Sequence, residues 1–253
     1  MDLPEAGLLL VAGLAAGTMN AVAGGGSLIS FPALIAIGLA PVPANVSNSV
    51  AVCPGYVASV LGSRHDLPAT RQLLRLVPAT VLGTAAGCGL LLATPARAFE
   101  AVVPFLVLGA TAVLAFQDQL RRLVGHPSEL GPRRRAVTLQ AMVALGSVYG
   151  GYFGAALGVL LVAGLALVLD ATLARVSAIK NVLSALVGLT TISVYGAVGP
   201  VNWAAVGVLA PATILGGYVG ARLVRRLAPG VLKVVIVVFG AAIGALLLLR
   251  AYA

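Results

Sequence analysis

Residues 71–92 of the chain read RQLLRLVPATVLGTAAGCGLLL. The only charged side chains in this stretch are Arg71 and Arg75 near its start, and a long apolar segment follows them. The stretch has about the 20 residues that an α-helix needs to cross the hydrocarbon core of a bilayer. It lacks the strict alternation of apolar and polar residues that is typical of a half-buried strand. The stretch therefore predicts a membrane-spanning helix.

Part of the same stretch occurs twice in the chain. The hexamer PATVLG at 78–83 returns 133 positions later as PATILG at 211–216, and the same shift places Asn48 on Asn181. Apolar composition alone would rarely produce such a match. We therefore expect a duplicated protein, with a first transmembrane repeat at 1–119, a basic linker at 120–136 and a second transmembrane repeat at 137–253.

The composition of the whole chain agrees with a membrane protein. Of its 253 residues, 60% are hydrophobic and only 9% are charged, and the mean hydropathy is +1.07. A soluble domain has about a quarter of its residues charged. This composition excludes a soluble protein, a disordered protein and a nucleic-acid-binding protein. Because only helices and closed barrels cross bilayers, we expect an all-α integral membrane protein that is surrounded by lipid.

Apolar runs divide the chain into predicted helices. Six runs are long enough to cross a bilayer, and they lie at 44–62, 71–92, 98–116, 176–195, 203–223 and 231–250. Two further pairs of runs, at 8–22 with 27–39 and at 138–155 with 157–169, are short and interrupted by glycine. Each pair is consistent with two half-helices, a broken helix or a re-entrant hairpin, and the sequence leaves these alternatives open.

The basic residues indicate the orientation in the membrane. They account for the net charge of +9 and cluster around 64–75, 121–135 and 222–233. Basic loops stay in the cytoplasm, so we expect a multi-pass protein of a bacterial-type cytoplasmic (inner) membrane with its acidic N-terminus outside. The two halves then have inverted topology. Inverted repeats with interrupted helices are the architecture of secondary transporters, which bind substrate near the midplane between the repeats and rock to alternate access.

The segment Gly24-Gly25-Gly26-Ser27 is the strongest motif. Each glycine costs about 1 kcal/mol of helix propensity, so three in a row inside a membrane segment predict a break in the helix. Backbone N–H groups at such a break form an anion site. Isolated glycines such as Gly17 and Gly87 are better explained by close packing between helices.

Polar residues in two apolar runs complete the candidate site. Asn45, Ser47 and Asn48 open the run at 44–62, and the alternative for Asn45 or Ser47 is that it only caps the helix. Asn48 and its counterpart Asn181 form a pair related by the repeat. Lys180 precedes Asn181 within an apolar run, where a charge marks either a binding site or a side chain that snorkels to the membrane surface.

The other ionisable residues argue against competing functions. All seven acidic residues fall in loops or at the ends of the predicted helices, so no carboxylate relay or sodium site is visible, and anions are favoured over cations. Neither the two histidines nor the two cysteines have neighbours at catalytic or metal-ligand spacing. We therefore expect no enzyme activity, no metal and no cofactor.

At these motifs the chain resembles the sulfite exporter TauE/SafE family of membrane transporters. The matching segments are Gly17 with 23–28 and Pro32, 44–48, 78–83 and 177–181. The resemblance covers nearly the whole chain and implies transport of small sulfur-containing anions such as sulfite or sulfoacetate. It points to Gly24, Gly25, Gly26, Ser27, Asn45, Ser47, Asn48, Lys180 and Asn181 as substrate-binding residues. The chain departs from the family at 154–158, where GAALG replaces the usual second glycine-rich motif, so we expect the two breaks to be unequal.

The sequence thus predicts a secondary transporter that moves a small sulfur-containing anion, mainly outward. An anion channel of the same architecture and an uptake permease for another small organic anion stay open as alternatives. The partners expected are the anionic substrate and membrane lipid, and no nucleic acid. Proton coupling and homo-oligomerisation are left open by the sequence.

Overall fold

The computed structural model describes residues 2–22, 24–116, 119, 131–169 and 171–223, together with short pieces between 234 and 249. Within these residues the chain forms helices and no strand. The helices are α1 Leu3–Val22, α2 Ser27–Ala36, α3 Pro41–Gly62, α4 Thr70–Leu74, α5 Val77–Ala93, α6 Ala96–Ala115, α7 Pro132–Tyr152, α8 Leu157–Val168, α9 Leu173–Val198 and α10 Trp203–Leu223. A short 3₁₀ turn at Arg64–Asp66 follows α3. Residues 120–130 of the predicted linker, and 231–233, 235–236, 239–240, 243 and 250 of the predicted run at 231–250, lie outside the described residues.

Among the described residues, five segments are long and apolar enough to cross a membrane. They are Leu3–Ala21, Thr70–Ala93, Ala96–Val113, Ala174–Val198 and Trp203–Gly220. The prediction of an all-α, multi-pass membrane protein is therefore confirmed.

Each interrupted pair consists of one long helix and one short helix. α1 has 20 residues and α7 has 21, whereas α2 has only 10 and α8 has 12. α1 and α7 are thus longer than the apolar runs at 8–22 and 138–155. Both helices begin five or six residues before the apolar run, at Leu3 and Pro132, in segments that contain Glu5 and three consecutive arginines. The 10 residues of α2 span about 15 Å, half the thickness of a bilayer core.

α3 lies inside the bundle. Every residue from Ala44 to Cys53 is buried, although several are polar, and α3 is not one of the five apolar spans. It packs against α1, α2, α6, α9 and α10. Neighbouring helices therefore shield its polar side chains from lipid, where they would be costly.

α3 runs antiparallel to α9, the helix to which the 133-residue shift relates it. A Cβ on Gly188 of α9 would lie 2.7 Å from the Sγ atom of Cys53, while Asn181 of α9 contacts Ser59 and Ser63 at the end of α3. Residue numbers therefore increase along α3 in the direction in which they decrease along α9. Inverted repeats would pack their equivalent central helices in this way, and the duplication itself stays a prediction.

Glycines bring two other pairs of helices into close contact. A Cβ on Gly17 of α1 would lie 2.3 Å from the carbonyl oxygen of Thr213 in α10. A Cβ on Gly87 of α5 would lie 2.0 Å from the carbonyl oxygen of Val148 in α7. The interpretation of Gly17 and Gly87 as packing residues is confirmed. Each contact joins a helix before the central linker to a helix after it.

The contact between α5 and α7 yields a direct test of this packing. We expect Gly87→Ala to lower the free energy of unfolding by about 3 kcal/mol, because the added methyl group meets backbone that no rotamer change can move. Gly89 lies two residues further along α5 and has no atom within 4 Å of its Cβ position. Gly89→Ala should therefore leave the protein equally stable or raise its stability by up to about 1 kcal/mol. Thermal unfolding of both variants in detergent measures the difference, and equal melting temperatures would contradict the close contact.

Candidate functional site

The two helix breaks meet inside the bundle. Gly24, after α1, has a φ of +85°, and Gly154, after α7, has a φ of +72°. The N–H of Gly158 donates to the carbonyl oxygen of Gly24 at 3.2 Å. A Cβ on either Gly24 or Gly158 would lie 2.5 Å from the Cα of the other residue. The breaks therefore touch backbone to backbone, with no room for a side chain between them.

Two N–H groups of the glycine triplet already have partners within the protein. The N–H of Gly24 donates to the carbonyl oxygen of Met19 at 3.0 Å, and that of Gly26 donates to Oδ1 of Asn20 at 2.8 Å. Neither amide is available to a ligand in this conformation. For Gly25 and Ser27 the predicted role in binding stays a prediction.

Lys180 extends from α9 to these breaks. Its Nζ atom donates to the carbonyl oxygen of Asn20 at 3.1 Å, and its stem lies against Gly158. The side chain is 1% exposed, so the ammonium group does not snorkel to the membrane surface. Lys180, from the second half of the chain, thus binds Asn20, which lies four residues before the glycine triplet in the first half.

The charge of Lys180 is isolated. Among the described residues it is the only buried charged side chain, and none of the described carboxylates is buried with it. A buried ammonium group without a counter-charge is strongly destabilising, by several kcal/mol. The described part of the protein therefore contains a positive site that an anion would stabilise.

Asn20 lies beside Lys180 and the glycine triplet, although no sequence motif points to it. It is 1% exposed and contacts both Lys180 and Gly26, while its Nδ2 atom has no hydrogen-bond partner. The repeat comparison gave no reason to select it, because the 133-residue shift places Asn20 on Phe153, which is apolar. Its position four residues before the glycine triplet was the one available signal.

A small cavity adjoins these residues, between α3, α9 and the second break. Its lining includes Ser27, Ser49, Tyr56, Phe153, Gly188 and Thr191, which come from both predicted repeats. The centre of a water molecule can occupy a volume of about 20 Å³ in this cavity, so the cavity has room for about one water molecule. Of the predicted site residues, only Ser27 lines this cavity. Ser27 directly follows the glycine triplet, so the cavity adjoins the first break. Leu157 also lines the cavity and directly precedes Gly158.

The polar residues at the start of α3 contact neighbouring segments of the protein. The Nδ2 atom of Asn45 donates to the carbonyl oxygen of Tyr152 at 2.9 Å. The Oγ atom of Ser47 accepts from the N–H of Asn202 at 2.8 Å, and Oδ1 of Asn48 accepts from Ser30 at 2.5 Å. Because α3 begins at Pro41, neither Asn45 nor Ser47 caps it, and that alternative is wrong. All three residues tie α3 to neighbouring segments.

Asn181 lies at the other end of α3. Its Nδ2 atom donates to Oγ of Ser63 at 3.0 Å and lies 3.4 Å from the carbonyl oxygen of Ser59, while its Oδ1 atom has no partner. Ser59 is 11 residues beyond Asn48 on the same helix, a distance of about 16 Å along the axis. The structure therefore does not bring Asn48 and Asn181 into one site. Of the predicted residues, it groups Lys180 with the glycine triplet, and it links Asn48 to the triplet through Ser30, whose Oγ donates to the carbonyl oxygen of Gly26 at 3.3 Å.

Comparison with known proteins shows to which family the chain belongs. The family model described as "Sulfite exporter TauE/SafE" matches residues 9–247, which is nearly the whole chain. The chain belongs to the sulfite exporter TauE/SafE family. The resemblance inferred from the motifs is thus confirmed.

Relatives of this TauE/SafE protein carry names that agree. The "Probable membrane transporter protein YfcA" of Escherichia coli K12 is 27% identical over 96% of this chain and 89% of its own length. A "Probable membrane transporter protein" of Haemophilus influenzae is 25% identical over 91% of this chain and 89% of its own. A third, "Probable membrane transporter protein ORF9" of a Sinorhizobium species, is 22% identical over 95% and 91%. No solved structure matches the chain.

These findings identify the general activity. The chain is a multi-pass membrane protein of a transporter family, and its relatives bear the names of transporters rather than enzymes. Within the described residues, no group of three or more histidine, cysteine or acidic side chains could hold a metal ion. What the site offers chemically is hydrogen-bond donors and one positive charge, next to two breaks that touch through glycine.

Proposed function

We propose that this transporter moves a small sulfur-containing anion, either sulfite or an organosulfonate such as sulfoacetate, across the cytoplasmic membrane, and that it does so mainly by export. The observation that carries the proposal is the buried ammonium group of Lys180 at the meeting of the two breaks. The protein is further proposed to consist of two inverted repeats, 1–119 and 137–253, joined by the linker 120–136.

The isolated charge favours an anionic substrate. Lys180 is buried without a buried carboxylate among the described residues, so an anion that enters beside Nζ would supply the missing counter-charge. A cationic substrate would be repelled at the same place. The description of the family as sulfite exporters supports a sulfur-containing anion over other anions.

The size of the cavity favours alternating access over a permanently open pore. The space between α3 and α9 holds about one water molecule, whereas sulfite has four non-hydrogen atoms. Substrate therefore enters only when the helices around the breaks move apart. Such a requirement is typical of a transporter and would be unusual in an open channel.

The membrane potential supports export as the direction of transport. When an anion leaves a cell with a negative interior, its electrical free energy falls by about 2.3 kcal/mol per charge for each 100 mV. Export of sulfite or a sulfonate is therefore downhill in electrical terms and needs no coupled ion. Proton coupling and homo-oligomerisation are not part of the proposal.

Binding and flux measurements test the proposal together. Sulfite, sulfate, thiosulfate, sulfoacetate, taurine and lactate are each added to the purified protein, and the melting temperature is recorded. A true substrate at 100 times its dissociation constant should stabilise the protein by about 2.7 kcal/mol. In proteoliposomes the same anion should show saturable flux and counterflow. Flux that rises linearly with concentration and carries single-channel current would identify a channel, and a response to lactate alone would contradict the sulfur-anion assignment.

A further inference from the structure

We propose that Asn20 is a second anion-binding residue, which donates its side-chain N–H groups to the substrate beside Lys180, so that the site takes an oxyanion through two of its oxygens. The inference rests on the proposed function, because it concerns the same site. It adds a residue in the first half of the chain to a site whose charge comes from the second half.

The orientation of the Asn20 amide is fixed by its neighbour. The backbone N–H of Gly26 lies 2.8 Å from Oδ1, and only the oxygen of the amide can accept this hydrogen bond. The Nδ2 group consequently occupies the other position. Asn20 also binds Lys180 through its backbone carbonyl oxygen at 3.1 Å, so both donors belong to one small cluster.

The Nδ2 group of Asn20 is buried without a partner. Within the part of the chain that the structure describes, five buried side-chain atoms lack a hydrogen bond, and Asn20 Nδ2 is the only nitrogen among them. A buried donor that has lost its water without gaining an acceptor is costly. Asn20 also contacts the isolated ammonium group of Lys180. An anion with acceptor oxygens would therefore provide an acceptor for Asn20 Nδ2 and a counter-charge for Lys180.

The two donors define the class of ligand. Lys180 has three N–H groups and one known acceptor, and Asn20 Nδ2 has two N–H groups and none. An oxyanion such as sulfite or a sulfonate accepts through several oxygens and can satisfy both residues at once. A ligand that itself donates hydrogen bonds at this position leaves these groups without acceptors, so the site favours the deprotonated oxyanion.

Asn20→Asp separates this role from a structural one. The substituted side chain keeps an oxygen for the N–H of Gly26 and replaces the NH₂ group by a second oxygen of nearly equal size. Its negative charge beside Lys180 supplies the missing counter-charge and repels an anionic ligand. We therefore expect a folded protein whose affinity for the oxyanion falls by about 100-fold or more.

Asn202→Asp is the matched control. Oδ1 of Asn202 accepts the N–H of Ala205 at the start of α10, where aspartate is an equally good cap. The control adds the same charge away from the proposed site and should bind the anion as wild type does. Asn20→Ser is a second variant without added charge, and it decides the question if Asn20→Asp does not fold, with an expected loss of about tenfold.

The measurement is titration calorimetry of each purified protein in chloride-free buffer with sulfite, sulfoacetate, sulfate, phosphate and lactate. Loss of oxyanion binding in the Asn20 variants, with binding kept in Asn202→Asp, supports the inference. Equal binding of sulfite by wild type and the Asn20 variants overturns it and leaves the proposed function intact. Asn20-dependent binding of phosphate or lactate alone supports the inference and overturns the proposed substrate. Wild type that binds none of the five anions overturns both.

Discussion

Lys180→Met is expected to abolish anion binding and transport while leaving the protein at least as stable as wild type. Methionine has a length and apolar stem similar to those of lysine and removes the charge. Loss of one member of a buried pair of opposite charges costs about 2–5 kcal/mol of binding energy, so the affinity for the substrate should fall on the order of 100-fold or more. In the absence of anion, the variant no longer buries an isolated charge, so its melting temperature should equal or exceed that of wild type.

Arg175→Met provides the control on the same helix. Arg175 is an exposed cation in the first turn of α9, beside an open pocket lined also by His65, Asp66 and Thr172. An exposed charge contributes little, so the affinity should stay within about twofold of wild type. Titration calorimetry and proteoliposome flux with sulfite measure both variants. Unchanged affinity in Lys180→Met would remove the main support for the proposed function.

Gly24→Ala is expected to lower the free energy of unfolding by about 4 kcal/mol and to stop transport. Two effects add at this position. The φ of +85° costs about 1–2 kcal/mol for a residue with a Cβ, and that Cβ would lie 2.5 Å from the Cα of Gly158. Because the clash is between two backbones, no side-chain movement relieves it.

Gly38→Ala separates the two effects. Gly38 has a similar φ of +90°, but no atom lies within 4 Å of its Cβ position. Its substitution should cost only the backbone strain of about 1–2 kcal/mol. Thermal unfolding in detergent gives the comparison. Equal losses in the two variants would show that the contact between the breaks contributes nothing.

The class of protein and the packing glycines could be predicted because they depend on local composition. Apolar runs of sufficient length have no stable alternative to the membrane, and Gly17 and Gly87 occur at positions where only close helix contact explains a glycine. Helix ends were predicted less well. The residues that begin α1 and α7 include charged side chains and lie before the apolar run, so the helices are longer than the runs.

The site could be predicted only in part, because contacts between distant segments are not visible in one sequence. Lys180 was selected by its charge, and the structure places it at the glycine triplet. The pairing of Asn48 with Asn181 rested on symmetry, yet equivalent positions on antiparallel helices need not meet, and these two lie near opposite ends of α3. Asn20 was missed because its counterpart in the repeat comparison is a phenylalanine.

The glycine contacts determine which parts of the molecule can move as rigid bodies. α1 packs on α10 through Gly17, and α5 packs on α7 through Gly87. Each pair therefore consists of one helix before the central linker and one helix after it. A swing of residues 1–119 as one block would pull both pairs apart. The two helix breaks also meet across the halves, where the N–H of Gly158 donates to the carbonyl oxygen of Gly24. Any motion that keeps these glycine contacts therefore carries α1 together with α10 and α5 together with α7, pairs of helices from the two sequence halves.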